Sequence, residues 1–248
     1  MALESVTHIS DLNVLNPTAG DPKAEGDDHL RNIKTALKTD LPNISGAMTA
    51  THTALNAIAA GTGNTATGTG AANLGGTNNT VGAAYGANLG GTYATTRAVI
   101  GATVQGSGGS STTSGQAQIR KLVLSGVTTD ATPTVIVSDA SAAGTANQLT
   151  LANNQSTLVD GLVVAHDSSD GKTASWVIRV TVRRLANAAS TAIAGSAVVT
   201  SADNDTGASP SVALAADTTN GCLKVTVTGI AAKNIRWTAW LRAVEASA

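Results

Sequence analysis

Between residues 61 and 117 the sequence nearly runs out of the side chains that folding depends on. Arg97 is the one charged residue there, and Gly, Ala, Thr, Ser and Asn fill most of the rest. Ala72-Asn73-Leu74-Gly75-Gly76-Thr77 returns as Ala87-Asn88-Leu89-Gly90-Gly91-Thr92, a repeat of 15 residues. Glycine does not occupy every third position, which excludes a collagen helix. Composition alone makes such a stretch a flexible linker. Fixing each residue of it costs about 1–2 kcal/mol of backbone entropy, and few large side chains are present to offset that. Order must then come from outside the strand, which predicts a stalk over 61–117 in which neighbouring copies intertwine.

The rest of the composition points the same way. Of 248 residues only 2% are aromatic, none is Phe, and 12% are charged. A lone subunit with so few large side chains builds a thin core, and self-association is the natural remedy. The net charge of −1 gives no electrostatic footprint for nucleic acid. No apolar run approaches the roughly 20 residues that span a bilayer, so membrane insertion is not expected. The first residues lack the basic head and apolar core of a signal peptide, which predicts a chain made in the cytosol. The single Cys222 excludes an intramolecular disulfide and, beside Leu223, Val225 and Val227, reads as a buried strand thiol.

Residues 1–60 read as an anchoring segment. A turn-rich stretch, Asn16 to Pro22, precedes a helix that starts near Asp27 or Asp28, either of which suits the positive end of the helix dipole. Leu30, Ile33 and Leu37 form one narrow apolar stripe, and Pro42 stops the helix at or just before Leu41. At three to four turns such a helix is too short to stand alone, so the stripe has to dock on something. A second, weaker helical stretch is expected from Thr51 to Ala60.

Residues 118–248 read as all-β. Strands are expected at 119–127, 133–138, 147–151, 157–166, 173–184, 191–200, 209–215, 222–229 and 234–245, with hairpin turns at 167–172 and 217–221. Trp176, Ile178, Val180 and Val182 share one face and mark it as core. The fold class is therefore mainly β, with a short N-terminal helix, a low-complexity stalk and an antiparallel β-sandwich tip of jelly-roll type.

Catalytic chemistry is not legible. The four histidines, His8, His29, His52 and His166, have no metal-ligand spacing. Asp21, Glu25, Asp27 and Asp28 lack the calcium-loop pattern, the tip's acids do not form a glycosidase pair, and no nucleophile elbow occurs. No catalytic residue, metal or cofactor is assigned, and the expectation is a chain that is not an enzyme. One strand face stands out: Arg236, Trp240 and Arg242 lie opposite the core residues Ile235, Trp237 and Leu241. A Trp flanked by two Arg is either a subunit interface or a sugar-binding surface.

Residues Leu15 to Arg31, reading LNPTAGDPKAEGDDHLR, continue through Ile33-Lys34-Thr35-Ala36-Leu37 to Pro42-Asn43-Ile44-Ser45-Gly46. This stretch resembles the N-terminus of tailed-bacteriophage fibre and appendage proteins, with Leu41 where Phe is usual. Thr49 to Asn56 is similar to that family's continuation, with Ala54 in place of Glu. In the tip, Thr129 to Thr134, Asn147-Gln148-Leu149, Asp217 to Gly221 and Asn234 to Trp237 look like a β-domain found at fibre C-termini. The resemblance implies a virion protein, commonly a homotrimer, whose N-terminus, including Leu30, Ile33, Leu37 and Leu41, joins other tail or connector proteins. It implies a distal tip that faces the host and its surface glycans. A head or collar fibre, or an adaptor joining other virion proteins, is the alternative. A glycan-degrading tailspike is set aside, because it needs a long parallel β-helix and paired acids.

Overall fold

The computed structural model describes residues 6–15, 26–41, 61–109 and 111–248. The expected helix at Thr51–Ala60, most of the N-terminal motif and the Pro42–Gly46 stretch lie outside them. The chain divides into two compact units, Met1–Ala54 and Leu55–Ala248.

In the first unit the helix α1 runs Gly26–Asp40, with Asp27 and Asp28 in its first turn and Lys38 in its last. It packs against a 3-10 turn, Ile9–Asp11. His8 Nδ1 contacts Asp40 Oδ1, and the Ile9 N–H donates to the other oxygen of the same carboxylate. His29 and Ala36 are buried, whereas the predicted stripe Leu30, Ile33 and Leu37 is exposed, as is Leu41. Asp27 and Asp28 both pair with Arg31 on the surface.

In the second unit the low-complexity segment stacks on itself. Its short strands are β1 (Thr65–Ala66), β2 (Ala72–Asn73), β3 (Thr80–Val81), β4 (Ala87–Asn88) and β5 (Thr103–Gly106). Strand β1 pairs with β3, and β2 with β4 and then β5, all in parallel. The register matches Thr65 to Thr80 and Ala72 to Ala87, one 15-residue repeat apart, so each repeat is one coil of a small parallel β-stack. Two left-handed corners recur in each coil: Gly63, Asn78 and Tyr93 at one, Gly70, Tyr85 and Gly101 at the other. At Gly76 a Cβ would overlap the carbonyl of Gly91 in the next coil, so only glycine fits there. The interior holds small side chains, Val81, Ala94, Val99, Ala102 and Val104, with buried asparagines. Asn79 Oδ1 accepts from the Ala94 N–H at 2.7 Å, and its amide donates to the carbonyls of Gly75 and Gly91, both at 2.9 Å.

Within one chain the segment is a stack of coils, which the expectation of an intertwined stalk did not foresee. The entropy argument assumed that a strand poor in side chains has nothing to bind, but backbone groups bind too. The N–H groups of Thr65, Thr67, Ala72 and Leu74 each donate to a carbonyl of the following coil. The segment's own neighbouring coils thus supply backbone contacts that the entropy argument left out.

The remaining strands are long and antiparallel: β6 (Ala117–Thr128), β7 (Pro133–Val135), β8 (Leu149–Thr150), β9 (Gln155–Asp167), β10 (Thr173–Arg184), β11 (Ala192–Ile193), β12 (Val198–Asn204), β13 (Ser211–Asp217), β14 (Cys222–Thr228) and β15 (Ile235–Ser247). A nine-stranded open sheet has the order β11-β10-β9-β15-β6-β5-β4-β2, with β12 also on β10. The second sheet is β13-β14-β7 with β8 on β14. The pairing of β5 with β6 makes the coils and the long strands one continuous sheet. The mainly-β expectation therefore holds. The two inner faces share a core in which Trp176 and Trp237 stack with centroids 5.5 Å apart, beside Leu122, Ile178, Leu223 and Val225.

One end of that interior is charged. Arg120, fully buried, places Nη2 2.7 Å from Glu245 Oε1, and Arg97 Nε lies 3.3 Å from Glu245 Oε2. Gln118 donates to Glu245 at 2.8 Å and holds the backbone of Thr95 with both ends of its amide. Burial pulls the Arg120 guanidinium below the usual arginine range, and Glu245 pulls it back. Arg97 reaches this carboxylate because the third coil is one residue longer: β4 to β5 is 16 residues in register, and Arg97 and Ala98 both take positive φ. Cys222 is buried, and desolvation pushes its thiol up to about 11.

Candidate functional site

The candidate surface is the outer face of the nine-stranded sheet. Strict alternation along β6, β9, β10 and β15 sends every second side chain to the core and the others outward. Register then assembles the outward residues into rows across the sheet. One row is Val123, Trp240, Leu162 and Val177, all exposed. A second is Ile119, Val244, Leu158 and Thr181, three of whose members are exposed apolar side chains. Between them runs a charged row, Lys121, Arg242, Asp160 and Arg179.

The three residues singled out in the sequence do share this face, but they do different things. Trp240 is 37% exposed and Leu162 beside it 57%. Together with Val177, Val198, Asp160 and Arg179 they line a shallow hollow of about 510 Å³. Arg242 is committed within the chain, its Nε and Nη2 donating to the two oxygens of Asp160 at 3.1 Å each. Arg236 stands four residues from Trp240 on the same strand, roughly 13 Å away at strand rise. It lines a different cleft, with Ser125, Thr134 and Thr238.

Asp160 escaped the sequence reading, and Arg179 was legible there only as an outward residue of its strand. The alternation of β9 and β10 places both outward. What no single strand reveals is that β15 inserts between β6 and β9, and that pairing is what brings Asp160 to Arg242. Among the described residues no group of three His, Cys, Asp or Glu side chains could hold a metal ion. No described helix is long and apolar enough to cross a membrane.

No protein-family model matches the chain, and no curated protein matches it. Solved structures with some likeness include tailspike protein gp49 of Acinetobacter baumannii bacteriophage Fri1, a capsular polysaccharide depolymerase, at 7% identity and TM-score 0.30. Another is the tailspike protein of Acinetobacter phage vB_ApiP_P1, at 11% identity and TM-score 0.22. Each match covers 71% of this chain and only 34% or 38% of the tailspike. Scores this low assign neither activity nor ligand to this chain. The expectation that the chain is not an enzyme is nonetheless corrected, since one of the structures it matches is a depolymerase.

Proposed function

We propose that the chain is a component of a bacteriophage virion appendage that assembles as a homotrimer through the outer face of its long-stranded sheet. Its N-terminal unit joins the particle, and its tip contributes to host attachment. The observation that carries this reading is the pair of apolar rows around Trp240 and Leu162. Contiguous exposed apolar surface of that kind is rare on a soluble monomer and marks an association site. Each large aliphatic side chain moved from water into a contact contributes about 1.5–3 kcal/mol, so a few of these rows suffice for a stable assembly. The bare stripe Leu30, Ile33, Leu37 and Leu41 supports an anchoring or self-associating role for α1 on the same ground. The particle and the host enter from the N-terminal motif, which resembles that of phage fibres.

The test is the mass of the full chain in solution. The wild type should scatter light as a trimer, and Leu162→Lys, which sets a charge beside Trp240, should shift it to monomer with an unchanged β-type circular dichroism spectrum. A wild-type chain that is a folded monomer at micromolar concentration would overturn the assembly reading.

A further inference from the structure

The sequence groups Arg236 with Trp240 and Arg242, and the fold separates it from them. On β15, Arg236 lies between Val127 of β6 and His166 of β9, and Thr238 lies beside Ser125. The segment that follows β7 folds over this corner of the sheet, bonding Ser125 N–H to Val137 O at 2.8 Å and Val137 N–H to Ser125 O at 3.2 Å. A cleft of about 480 Å³ results, within the range of ligand pockets. Gly126, Val127, Val135 and Val137 supply the apolar part of its lining, and Ser141 is among the polar residues.

Arg236 is the one charged side chain in that lining. Among the described residues it forms no hydrogen bond or ion pair, and neither do the hydroxyls of Ser125 and Thr238. The nearby acid is already engaged: Asp139 Oδ1 accepts from the Ser141 N–H at 3.1 Å, the Ser141 hydroxyl at 2.8 Å and the Asn147 amide at 2.8 Å. Those bonds fix the turn that carries Ala140 and Ser141 of the lining. Arg236 forms no ion pair with this carboxylate, so its guanidinium donors are open to a ligand. A planar fork of donors is matched by a carboxylate, which it takes through two parallel hydrogen bonds. The two free hydroxyls, each donor and acceptor, are matched by neighbouring hydroxyls on the same ligand.

We propose that this cleft binds a carboxylate-bearing sugar, with Arg236 on the carboxylate and Ser125 and Thr238 on the ring hydroxyls. The proposal deepens the attachment role given above, and its test does not depend on the assembly state. The full chain is titrated with glucuronate, glucose and acetate, each followed by ligand-detected nuclear magnetic resonance. Glucuronate should bind at least about tenfold more tightly than either of the others, the factor expected when a charged hydrogen-bonding pair is added to hydroxyl contacts. Arg236→Gln should weaken glucuronate about tenfold without changing the mass of the particle in solution, and Arg242→Gln should leave its affinity within about twofold. Equal affinities for glucuronate and acetate would reduce the cleft to a surface cation and overturn the proposal. So would equal affinities for glucuronate and glucose, or full binding by Arg236→Gln. Loss of the trimer with binding retained would instead refute the assembly reading alone.

Discussion

Glu245 is the residue whose loss should be felt most. It is buried together with Arg120, and Arg97 is nearly so, which makes one carboxylate the counter-charge for two cations out of water. Glu245→Gln preserves shape and removes that charge. In either orientation the new amide also turns its N–H groups toward a donor, the Gln118 amide or the Arg120 guanidinium. Breaking a buried pair from one side costs about 3–5 kcal/mol, because the remaining charge stays desolvated. For a domain of this size each kcal/mol lowers the melting temperature by about 2–4 °C, so the drop should be about 6–20 °C. Differential scanning calorimetry of the full chain measures it directly. The paired replacement Arg120→Met with Glu245→Met removes the fully buried pair and leaves only Arg97, which keeps its bond to the Gly115 carbonyl, so it should recover part of the loss, since buried pairs exchanged whole for apolar residues are close to neutral. A drop below about 3 °C for Glu245→Gln, or a double variant no better than the single one, would refute the reasoning. The guanidinium would then be solvated or paired by some other route.

Two further predictions concern the coils and the helix unit. Asn79→Ala strands the Ala94 N–H, at about 1–3 kcal/mol for a buried group left unmade, and takes one of two donors from each of the carbonyls of Gly75 and Gly91, which keep Asn88 and Thr77; urea unfolding should show a loss above that for Asn64→Ala at the first coil. In the helix unit, hydrogen bonding and charge from Asp40 raise the His8 value, and the bond from His8 lowers Asp40. The clasp is therefore complete below the ordinary histidine value of about 6.5 and is lost as pH rises through the raised one. The Asp40 side holds down to below its ordinary carboxylate value. Proton titration of His8 should give a value above 6.5 that returns to normal in Asp40→Asn.

How far the sequence could be read depended on where each signal resides. Strand β10 occupies the predicted 173–184, because its alternation is unambiguous and a turn flanks it. The hairpin at 217–221 is equally local: Asp217 Oδ1 accepts from the Thr219 and Asn220 N–H groups, and Gly221 takes positive φ. Strand β6 was harder. Ile119, Val123 and Val127 are apolar on one side, Leu122 and Leu124 on the other, so the pattern does not say which side carries Arg120 into the core. The coils show in the sequence as a 15-residue period and nothing more. Their specificity lies in asparagine ladders and left-handed corners, and hydrophobic periodicity is blind to both. Pairings between distant strands, such as β15 with β6 and β9, leave no trace in any one segment. For that reason the Arg242–Asp160 pair and the Arg236 cleft became visible only in the folded chain.

The two-sided character of β6 bears on assembly as well as on legibility. A strand that is apolar on both faces belongs to a sheet covered on both faces, yet the second sheet covers only one. The same holds for β15, where Trp240 and Val244 face outward opposite Trp237 and Leu241, and for β9, where Leu158 and Leu162 face outward opposite Val159 and Val163. Some exposure of apolar residues is unavoidable and by itself says little. Here the exposed ones gather on one open face in register across three neighbouring strands. Random surface placement would scatter them. A second layer supplied by other copies would cover that face and complete the sheet as its own sequence pattern requires.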